Sequence, residues 1–300
     1  MLKEELPDIT TFEKVESSLN LNWVGMEGIA IPLQVDTNVG SQAVNARASI
    51  FVSLDNAAAK GIHMSRLHKV VNKLVSLPCD KPSLDGLIAQ SIDSQEGISK
   101  GAKVRLDFEL LLEKESLLSQ NVGFQNYTVA VTAEEKDGQS AYELELTIPY
   151  SSTCPCSASL ARQLHSRAID SKFPEAESVN KAEFLAWIES ADNAFATPHS
   201  QRSYVYLKLK LGQDEFPSLE SLIIELENII GTPVQAVVKR VDEQEFARLN
   251  GENLMFCEDA ARRIKQYLNK TPCIVDYWLK VEHQESLHAH NAVVIDQKNS

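Results

Sequence analysis

Two cysteines separated by one proline are the residues of this sequence best suited to metal binding or nucleophilic chemistry. Cys154 and Cys156 lie in the segment SSTCPCS, after a predicted strand and before a predicted helix. The start of a helix lowers the pKa of a thiol, and thiolates bind borderline-soft metals such as zinc. The segment therefore predicts a metal ligand or a nucleophile, and the alternative is a pair of small residues buried at a turn.

Three of the seven histidines lie close together near the end of the chain, in the segment HQESLHAH at 283–290. Residues two apart share one face of an extended segment, so His288 and His290 are predicted to face one site with Glu285 nearby. Histidine titrates near neutral pH, and burial raises the pKa of a carboxylate towards it. These residues predict general acid and base chemistry, and the alternative is a solvated end of the last strand pair.

A third polar group, HSQRS at 199–203, precedes a predicted strand. The imidazole of His199 is a metal ligand by type, and the guanidinium of Arg202 matches the oxygens of a phosphate. The segment predicts a combined metal and phosphate site, and the alternative is a polar loop.

Two carboxylates and one basic helix start complete the candidates. Glu243 in KRVDE and Glu258 in NLMFCED carry charge, although residues of this type at strand ends and on helix flanks are usually only solvated. The segment KGIHMSR holds Lys60 and Arg66 at a predicted helix start, whose free N–H groups favour an anion. The alternative there is an ordinary helix start with Met64 in the core.

The elements that must position these groups are predicted from the spacing of apolar residues. Alternation at period two indicates half-buried strands, and the Asp137-Gly138 pair indicates a tight hairpin because both residues tolerate positive φ. The strands predicted in this way cover 103–112, 127–135, 142–148, 204–211 and 275–282.

Apolar stripes at helical spacing predict helices between the strands. The third is expected to have Pro217 in its first turn, and the fourth to have Asn253 as its cap. Residues 166–198 are expected to form a mostly helical insertion. The first two helices cover about 63–76 and 83–93, and the apolar stripes of the other two run from Leu219 to Ile230 and from Cys257 to Leu268.

Strands, a helix pair and further strands recur in each half of the chain. This order favours an α+β fold, with helices on one face of an antiparallel sheet, over a parallel βαβ arrangement. The predicted boundary lies near 150–156. It divides the chain into modules of residues 1–153 and 154–300, the second of which contains the insertion.

Composition limits the partners of the protein. Lys and Arg number 29 and Asp and Glu 42, a formal net charge of −13, which argues against broad attraction to nucleic acid or to anionic membranes. Five cysteines, an odd number in a chain of 300 residues, are typical of a reducing compartment. Residues 1–11 lack the apolar stretch of a secretory signal and no later run is long enough to span a membrane, so a cytoplasmic protein is expected.

Six motifs, in this order, resemble the GTP cyclohydrolase IB family, the bacterial second form of GTP cyclohydrolase I. The motifs are KGIHMSR, CPCS, HSQRS, KRVDE, NLMFCED and ESLHAHNA, and they span nearly the whole chain. Residues 158–198 separate CPCS from HSQRS, whereas the common short members run almost directly from one motif to the other. The sequence therefore resembles a longer subgroup, in which His165 rivals His199 for a metal role.

The resemblance implies a tunnelling fold, or T-fold, with two related modules per chain. It implies a homotetramer whose active sites lie at subunit interfaces, and a divalent metal, Mn²⁺ or Zn²⁺. The implied metal ligands are a cysteine of CPCS, His199 and Glu243. The residues themselves do not separate Cys154 from Cys156.

The activity implied by the resemblance is hydrolysis of GTP to 7,8-dihydroneopterin triphosphate and formate, the first step of tetrahydrofolate synthesis and of the route to the queuosine precursor. Glu258 would anchor the guanine ring, since a carboxylate accepts two hydrogen bonds from its amino and ring N–H groups. The residues implied to act in catalysis are Cys154, Cys156, Glu285 and His288. Further substrate contacts are assigned to Lys60, Arg66, Arg202 and His290.

Two other functions share this fold. A non-catalytic protein that binds metal or nucleotide would have no need of an acid and base pair such as Glu285 and His288 beside a thiol. A nitrile reductase of deazaguanine metabolism would depend on a nicotinamide cofactor, and the sequence lacks a glycine-rich dinucleotide motif.

Overall fold

The computed structural model describes residues 19–174, 178–190, 196–213 and 216–298. The strands in these ranges are β1 (Leu21–Thr37), β2 (Gly40–Leu54), β3 (Ala102–Glu115), β4 (Val122–Lys136), β5 (Gln139–Thr153), β6 (Ser200–Leu211), β7 (Ile274–His283) and β8 (Ala292–Gln297). The helices are α1 (Met64–Val71), which a 3-10 helix (Asn72–Ser76) follows, α2 (Lys81–Asp93), α3 (Pro155–Lys172), α4 (Lys181–Glu189), α5 (Leu219–Ile230), α6 (Arg240–Glu252) and α7 (Cys257–Lys270). None of these helices is both long and apolar enough to cross a membrane.

The eight strands form one antiparallel sheet whose order follows the chain from β1 to β8. Side chains alternate along each strand, so that one face of the sheet is buried beneath the helices. In β6, for example, Val205 and Leu209 are fully buried, whereas Arg202 and Lys208 on the other face are exposed. The predicted α+β class, with helices on one face of an antiparallel sheet, is confirmed.

All five predicted strands are present, and each is longer than predicted. Asp137 and Gly138 form the turn between β4 and β5 with φ of 53° and 75°, the positive values that this pair of residues tolerates. The sequence pattern does not predict β1, β2 or β8. In β2 the buried positions include Ala46 and Ala48, whose small side chains weaken the apolar alternation.

The four predicted helices correspond to α1 with its 3-10 extension, α2, α5 and α7. The sequence predicts Pro217 in the first turn of α5, and this prediction is wrong because Pro217 precedes the cap residue. Ser218 is the cap, because its hydroxyl accepts a hydrogen bond from the backbone N–H of Ser221 (3.3 Å). Helix α6 is not predicted because Asp242 is its one buried residue, so the helix has no apolar stripe.

The prediction that Asn253 caps α7 is wrong. The Asn253 amide donates to the carbonyl of Ile230 (2.7 Å), which satisfies the end of α5 where Gly231 adopts a φ of 87°. Helix α7 begins instead after Phe256, whose N–H donates to the side chain of Asp259 (3.0 Å).

The segment predicted as a helical insertion, 166–198, contains the end of α3 and all of α4. Phe173, at the end of α3, packs against Phe184 and Trp187 of α4, with ring centroids 6.2 and 5.6 Å away. Residues 175–177 and 191–195 of this segment lie outside the described part of the chain, as do residues 1–18.

The strands run between two opposite ends of the sheet. At one, named the exit end, Thr153 of β5 pairs with Ser200 of β6. At the other, named the entry end, Ala102 of β3 pairs with Glu135 of β4, which pairs in turn with Ser140 near the start of β5. About 40 Å of strand separates the two ends, because an extended chain rises roughly 3.3 Å per residue.

Candidate active site

Cys154 and His199 lie side by side at the exit end. Cys154 caps the start of α3, and its backbone N–H donates to the carbonyl of His199 (3.2 Å). In return, the N–H of His199 donates to the hydroxyl of Ser157 in the first turn of α3 (3.2 Å). The backbones of these two half-buried residues are thus held together where β5 passes into α3 and where the insertion passes into β6.

Two acceptor oxygens face one nitrogen of His199. Its Nδ1 lies 2.9 Å from Oε1 of Gln201 and 3.8 Å from Oε2 of Glu285. The side chains of His199 and Glu285 are only 18% and 14% exposed, so solvent screens this pair weakly. The predicted proton-transfer carboxylate therefore lies next to the predicted metal-binding imidazole.

Buried polar side chains continue from Gln201 into the sheet. Nε2 of Gln201 donates to Oγ of Ser152 (2.7 Å), which lies 2.8 Å from Oγ of Ser203. Close by, the hydroxyl of Tyr150 lies 2.8 Å from Nε2 of His283. Burial lowers the pKa of His283 to about 4, so this imidazole is neutral at pH 7.

An open cleft of about 420 Å³ adjoins His199, and Arg202 and Glu243 lie on its wall. Glu243 and Asn250 lie on one face of α6, seven residues apart. Asn250 accepts a hydrogen bond from the hydroxyl of Ser151 near the end of β5 (2.7 Å). This contact holds α6, and with it Glu243, against the exit end.

Glu258 lies at the start of α7, close to the same end of the sheet. The N–H of Met255 donates to the carbonyl of Thr153 (3.2 Å), which fixes the loop before α7 against the last residue of β5. Glu258 is exposed, and its negative charge acts on the buried His283. Burial raises the pKa of the neighbouring Cys257 to about 11, so that cysteine is a neutral thiol at pH 7.

His288 and His290 follow Glu285 in the segment between β7 and β8. Both are exposed, and their rings stack with centroids 5.0 Å apart and planes inclined by 13°. The two imidazoles are therefore adjacent to each other on the exposed surface of this segment. The N–H of Gln284 donates to the carbonyl of Arg202 (3.0 Å), so the segment leaves the sheet beside the cleft.

Lys60 and Arg66 lie at the entry end. The guanidinium of Arg66 donates to the carbonyl of Ser94 (3.0 Å), in the stretch that leads into β3. A single chain therefore places these two exposed cations about 40 Å along the strands from Cys154 and His199. The six motifs do not converge within one chain.

The structure ranks the alternative ligands left open by the sequence. Cys156 is exposed in the first turn of α3, whereas Cys154 is half-buried and its backbone is bonded to that of His199. His165 lies about 16 Å further along α3, at 1.5 Å per residue, and its Nε2 is 3.0 Å from the carbonyl of Ala196. The geometry favours Cys154 and His199.

The donor set at the exit end fits a borderline-soft metal in kind, because thiolate, imidazole and carboxylate are the ligand types of zinc. Among residues 19–174, 178–190, 196–213 and 216–298, no group of three or more His, Cys, Asp or Glu side chains is arranged to hold a metal ion. Cys154 and His199 are adjacent, while Glu243 lines the neighbouring cleft. A three-ligand centre therefore needs rearranged side chains or a ligand from another copy.

Gln201 and the polar residues behind it are candidates that residue type does not indicate, since glutamine and serine are common on protein surfaces. One signal is available in the sequence. On a strand, Gln201 and Ser203 lie two and four positions after His199, so that all three share one face.

The chain matches the model of a protein family described as type I GTP cyclohydrolase folE2 over residues 6–294. It is 55% identical over 296 residues to the GTP cyclohydrolase FolE2 of Hahella chejuensis, a match that covers 98% of this chain and 96% of that protein. It is 53% identical over 297 residues to the GTP cyclohydrolase FolE2 of Pseudoalteromonas atlantica, covering 98% and 97% of the two proteins.

Among solved structures, the fold is similar to that of a hyper-thermostable uricase mutant. The TM-score is 0.51 at 8% identity, over 93% of this chain and 92% of that one. This likeness concerns the fold alone, and it agrees with the T-fold class that the motifs imply. The sequence matches run nearly from end to end and confirm the resemblance carried by the six motifs, and the chain therefore belongs to the type I GTP cyclohydrolase FolE2 family.

Proposed function

We propose that this protein hydrolyses GTP to 7,8-dihydroneopterin triphosphate and formate, in the first step of tetrahydrofolate synthesis. Family membership over nearly the whole chain supports this substrate and this reaction. The observation that carries the proposal is the placement of the His199 imidazole beside the Glu285 carboxylate at the exit end, with the backbone of Cys154 bonded to that of His199. In this proposal the same product is also the starting material for synthesis of the queuosine precursor.

We further propose a divalent metal, Mn²⁺ or Zn²⁺, held by Cys154 or Cys156 together with His199 and Glu243. When bound, such a metal would lower the pKa of a coordinated water from far above neutral towards about 7 and would so supply a nucleophile at neutral pH. The contact of Cys154 with His199 supports two of these ligands. Glu243 is supported by its place on a cleft that begins at Ser200, the residue after His199.

His288 and Glu285 at the exit end transfer the protons that ring opening requires. Hydrolysis opens the five-membered ring of guanine at the carbon between its two nitrogens, so the departing ring nitrogen needs a proton. His288 donates it, and Glu285, partly desolvated beside His199, holds and returns protons during the reaction. Formate then leaves, the ribose rearranges, and the freed amine closes on it to form the pterin.

The substrate contacts come from two directions. Glu258 accepts hydrogen bonds from the amino and ring N–H groups of guanine, and Arg202 on the cleft wall and His290 lie on the same side. Lys60 and Arg66 reach the triphosphate only from the entry end of another copy, because one chain separates them from the exit end.

A homotetramer with active sites at its interfaces satisfies this requirement. It places the entry end of one copy against the exit end of another and gives an acidic protein a local positive pocket. We also propose the division into modules 1–153 and 154–300. Their junction at Thr153 lies between β5 and α3, and the sheet continues across it through the pairing of β5 with β6.

The direct test is to incubate the purified protein with GTP and Mn²⁺ and to measure formate together with the fluorescent pterin that oxidation produces. We expect both products in equal amounts, and neither after removal of metal by a chelator. Turnover that required a nicotinamide cofactor would favour a reductase. No turnover with Mn²⁺, Zn²⁺ or another divalent ion would remove the proposed function.

A further inference from the structure

The surroundings of His199 fix which of its two ring nitrogens carries the proton. Nδ1 faces two acceptors, Oε1 of Gln201 at 2.9 Å and Oε2 of Glu285 at 3.8 Å. A neutral imidazole has one N–H donor and one lone pair, and a nitrogen that faces only acceptors must be the donor. The proton therefore lies on Nδ1 and the lone pair on Nε2.

The orientation of the Gln201 amide is determined on its other side. Its Nε2 donates to Oγ of Ser152 (2.7 Å), and Ser152 is bonded to Ser203 (2.8 Å). A reversed amide would turn N–H donors towards Nδ1 and would leave a bare lone pair of that nitrogen facing the carboxylate of Glu285. That arrangement is electrostatically unfavourable. The Glu285 carboxylate and the contact with Ser152 therefore favour the same orientation of the Gln201 amide, with Oε1 towards His199.

Further buried polar side chains lie behind Gln201. Ser203 is fully buried beside Ser152, and the hydroxyl of Tyr150 lies 2.8 Å from Nε2 of the buried His283. Because these surroundings are largely shielded from water, the Gln201 amide is held by its own contacts with His199 and Ser152.

We propose that Gln201 is a positioning residue that holds His199 with its proton on Nδ1, so that Nε2 presents its lone pair to the metal. This inference rests on the proposed function, in which His199 is a metal ligand. Histidine ligands generally donate their second ring N–H to a nearby acceptor, and loss of that acceptor typically costs about 10- to 100-fold in metal affinity. Gln201 is 8% exposed, so the buried amide keeps one orientation.

The first test compares the Mn²⁺ affinities of two variants by competition with a chelator. Gln201→Leu removes the acceptor at similar volume, and we expect affinity to fall by about 10- to 100-fold. Gln201→Glu keeps an oxygen opposite Nδ1, and the hydroxyl of Ser152 can turn to donate to the second oxygen. We expect this conservative variant to restore the affinity, which a role in packing alone would not explain.

Gln95→Leu is the matched control. Gln95 is also buried, at 0% exposed, and it binds the backbone of His63 at the entry end through a contact of 2.7 Å. We expect this variant to lose stability in the same way as Gln201→Leu while its Mn²⁺ affinity stays at the wild-type value.

The second test reads the tautomer directly in metal-free protein, from the ¹⁵N chemical shifts of the His199 ring. We expect protonated Nδ1 in the wild type and in Gln201→Glu, and a mixture of tautomers in Gln201→Leu. A wild type with its proton on Nε2, or a Gln201→Leu variant that binds Mn²⁺ as tightly as the wild type while His199→Ala loses it, would overturn the inference alone. Undiminished Mn²⁺ binding by His199→Ala would overturn the proposed metal site together with it.

Discussion

The two ends of the sheet carry candidate residues of opposite character. At the exit end, His199 and Glu285 are largely buried, and the chain itself supplies their hydrogen-bond partners. At the entry end, Lys60 and Arg66 are exposed and lie about 40 Å along the strands from that group. A single chain therefore brings together some of the candidate catalytic side chains at the exit end, whereas it holds the candidate triphosphate contacts far from them.

The largest effect is expected from removal of a ligand at the exit end. His199→Ala should lose bound metal and should lower kcat by roughly a thousandfold or more, because the water nucleophile then keeps a pKa far above neutral. Metal content by mass spectrometry and pterin formation would be measured on the same sample.

Comparison variants separate the alternative ligands. His165→Ala should keep its metal. If metal were instead retained in His199→Ala and lost in His165→Ala, the metal ligand would be His165 of α3. Cys154→Ala and Cys156→Ala, measured side by side, identify the sulfur ligand. The contact of Cys154 with His199 favours the first as the variant without metal.

Removal of the acid or the base should separate chemistry from metal binding. We expect Glu285→Gln and His288→Ala to lower kcat by about 10²- to 10⁴-fold, the usual contribution of general acid and base catalysis, while metal content is unchanged. If metal were lost in parallel with activity, these residues would be ligands and not proton carriers.

At the entry end, the loss of positive charge should weaken substrate binding and leave the chemistry intact. The double variant Lys60→Ala with Arg66→Ala should raise KM for GTP by about 10²- to 10⁴-fold, because each of the two charge-assisted hydrogen bonds contributes roughly 1.5–3 kcal/mol. Its metal content and kcat should not change. Lys208→Ala removes an exposed cation from the bare face of the sheet and serves as the control with unchanged KM.

Mixing two variants tests whether the two ends that form one active site belong to different copies of the chain. The double variant and His199→Ala, combined under conditions that exchange subunits, should regain part of the activity at limiting GTP, because some sites then receive intact ends from both. Activity no higher than that of the double variant alone would place both ends in one chain.

The smallest expected effect concerns stability at the exit end. Burial holds the pKa of His283 at about 4, below its ordinary value of 6.5, so between these values the unfolded chain binds a proton that the folded one does not. The contribution of His283 to the free energy of unfolding is therefore fully present above pH 6.5. It falls by about 3 kcal/mol as the pH drops to 4.

His283→Gln should flatten this dependence, because an amide does not titrate. Urea midpoints at pH 7 and pH 5, at one protein concentration, would measure it. If His283→Gln lost as much stability between pH 7 and pH 5 as the wild type does, the pH dependence would come from other titratable groups.

Much of the exit end could be predicted from the sequence because its elements have strong local patterns. The alternation of Val205, Leu207 and Leu209 indicates β6, and the spacing of HSQRS before it places His199 at the strand start. Helix α6 could not be predicted, since it packs through Asp242 and polar contacts and has no apolar stripe. Its role in placing Glu243 is visible only in three dimensions.

The polar network behind His199 was beyond sequence reasoning for a different reason. Gln201 bonds across the sheet to Ser152 of β5, and residue type does not reveal which buried hydroxyl meets which amide across a sheet. The same applies to the distance between the two ends, because the order of the motifs along the chain does not give their separation in space.

The most direct test of the central claim is X-ray absorption at the metal edge of zinc-loaded protein. We expect one sulfur at about 2.3 Å and imidazole nitrogen at about 2.0–2.1 Å in the first coordination shell, with carboxylate oxygen completing it. The sulfur signal should disappear in Cys154→Ala, and the imidazole signal in His199→Ala. A shell of the wild-type protein that contained neither sulfur nor imidazole would contradict a metal centre built from these residues.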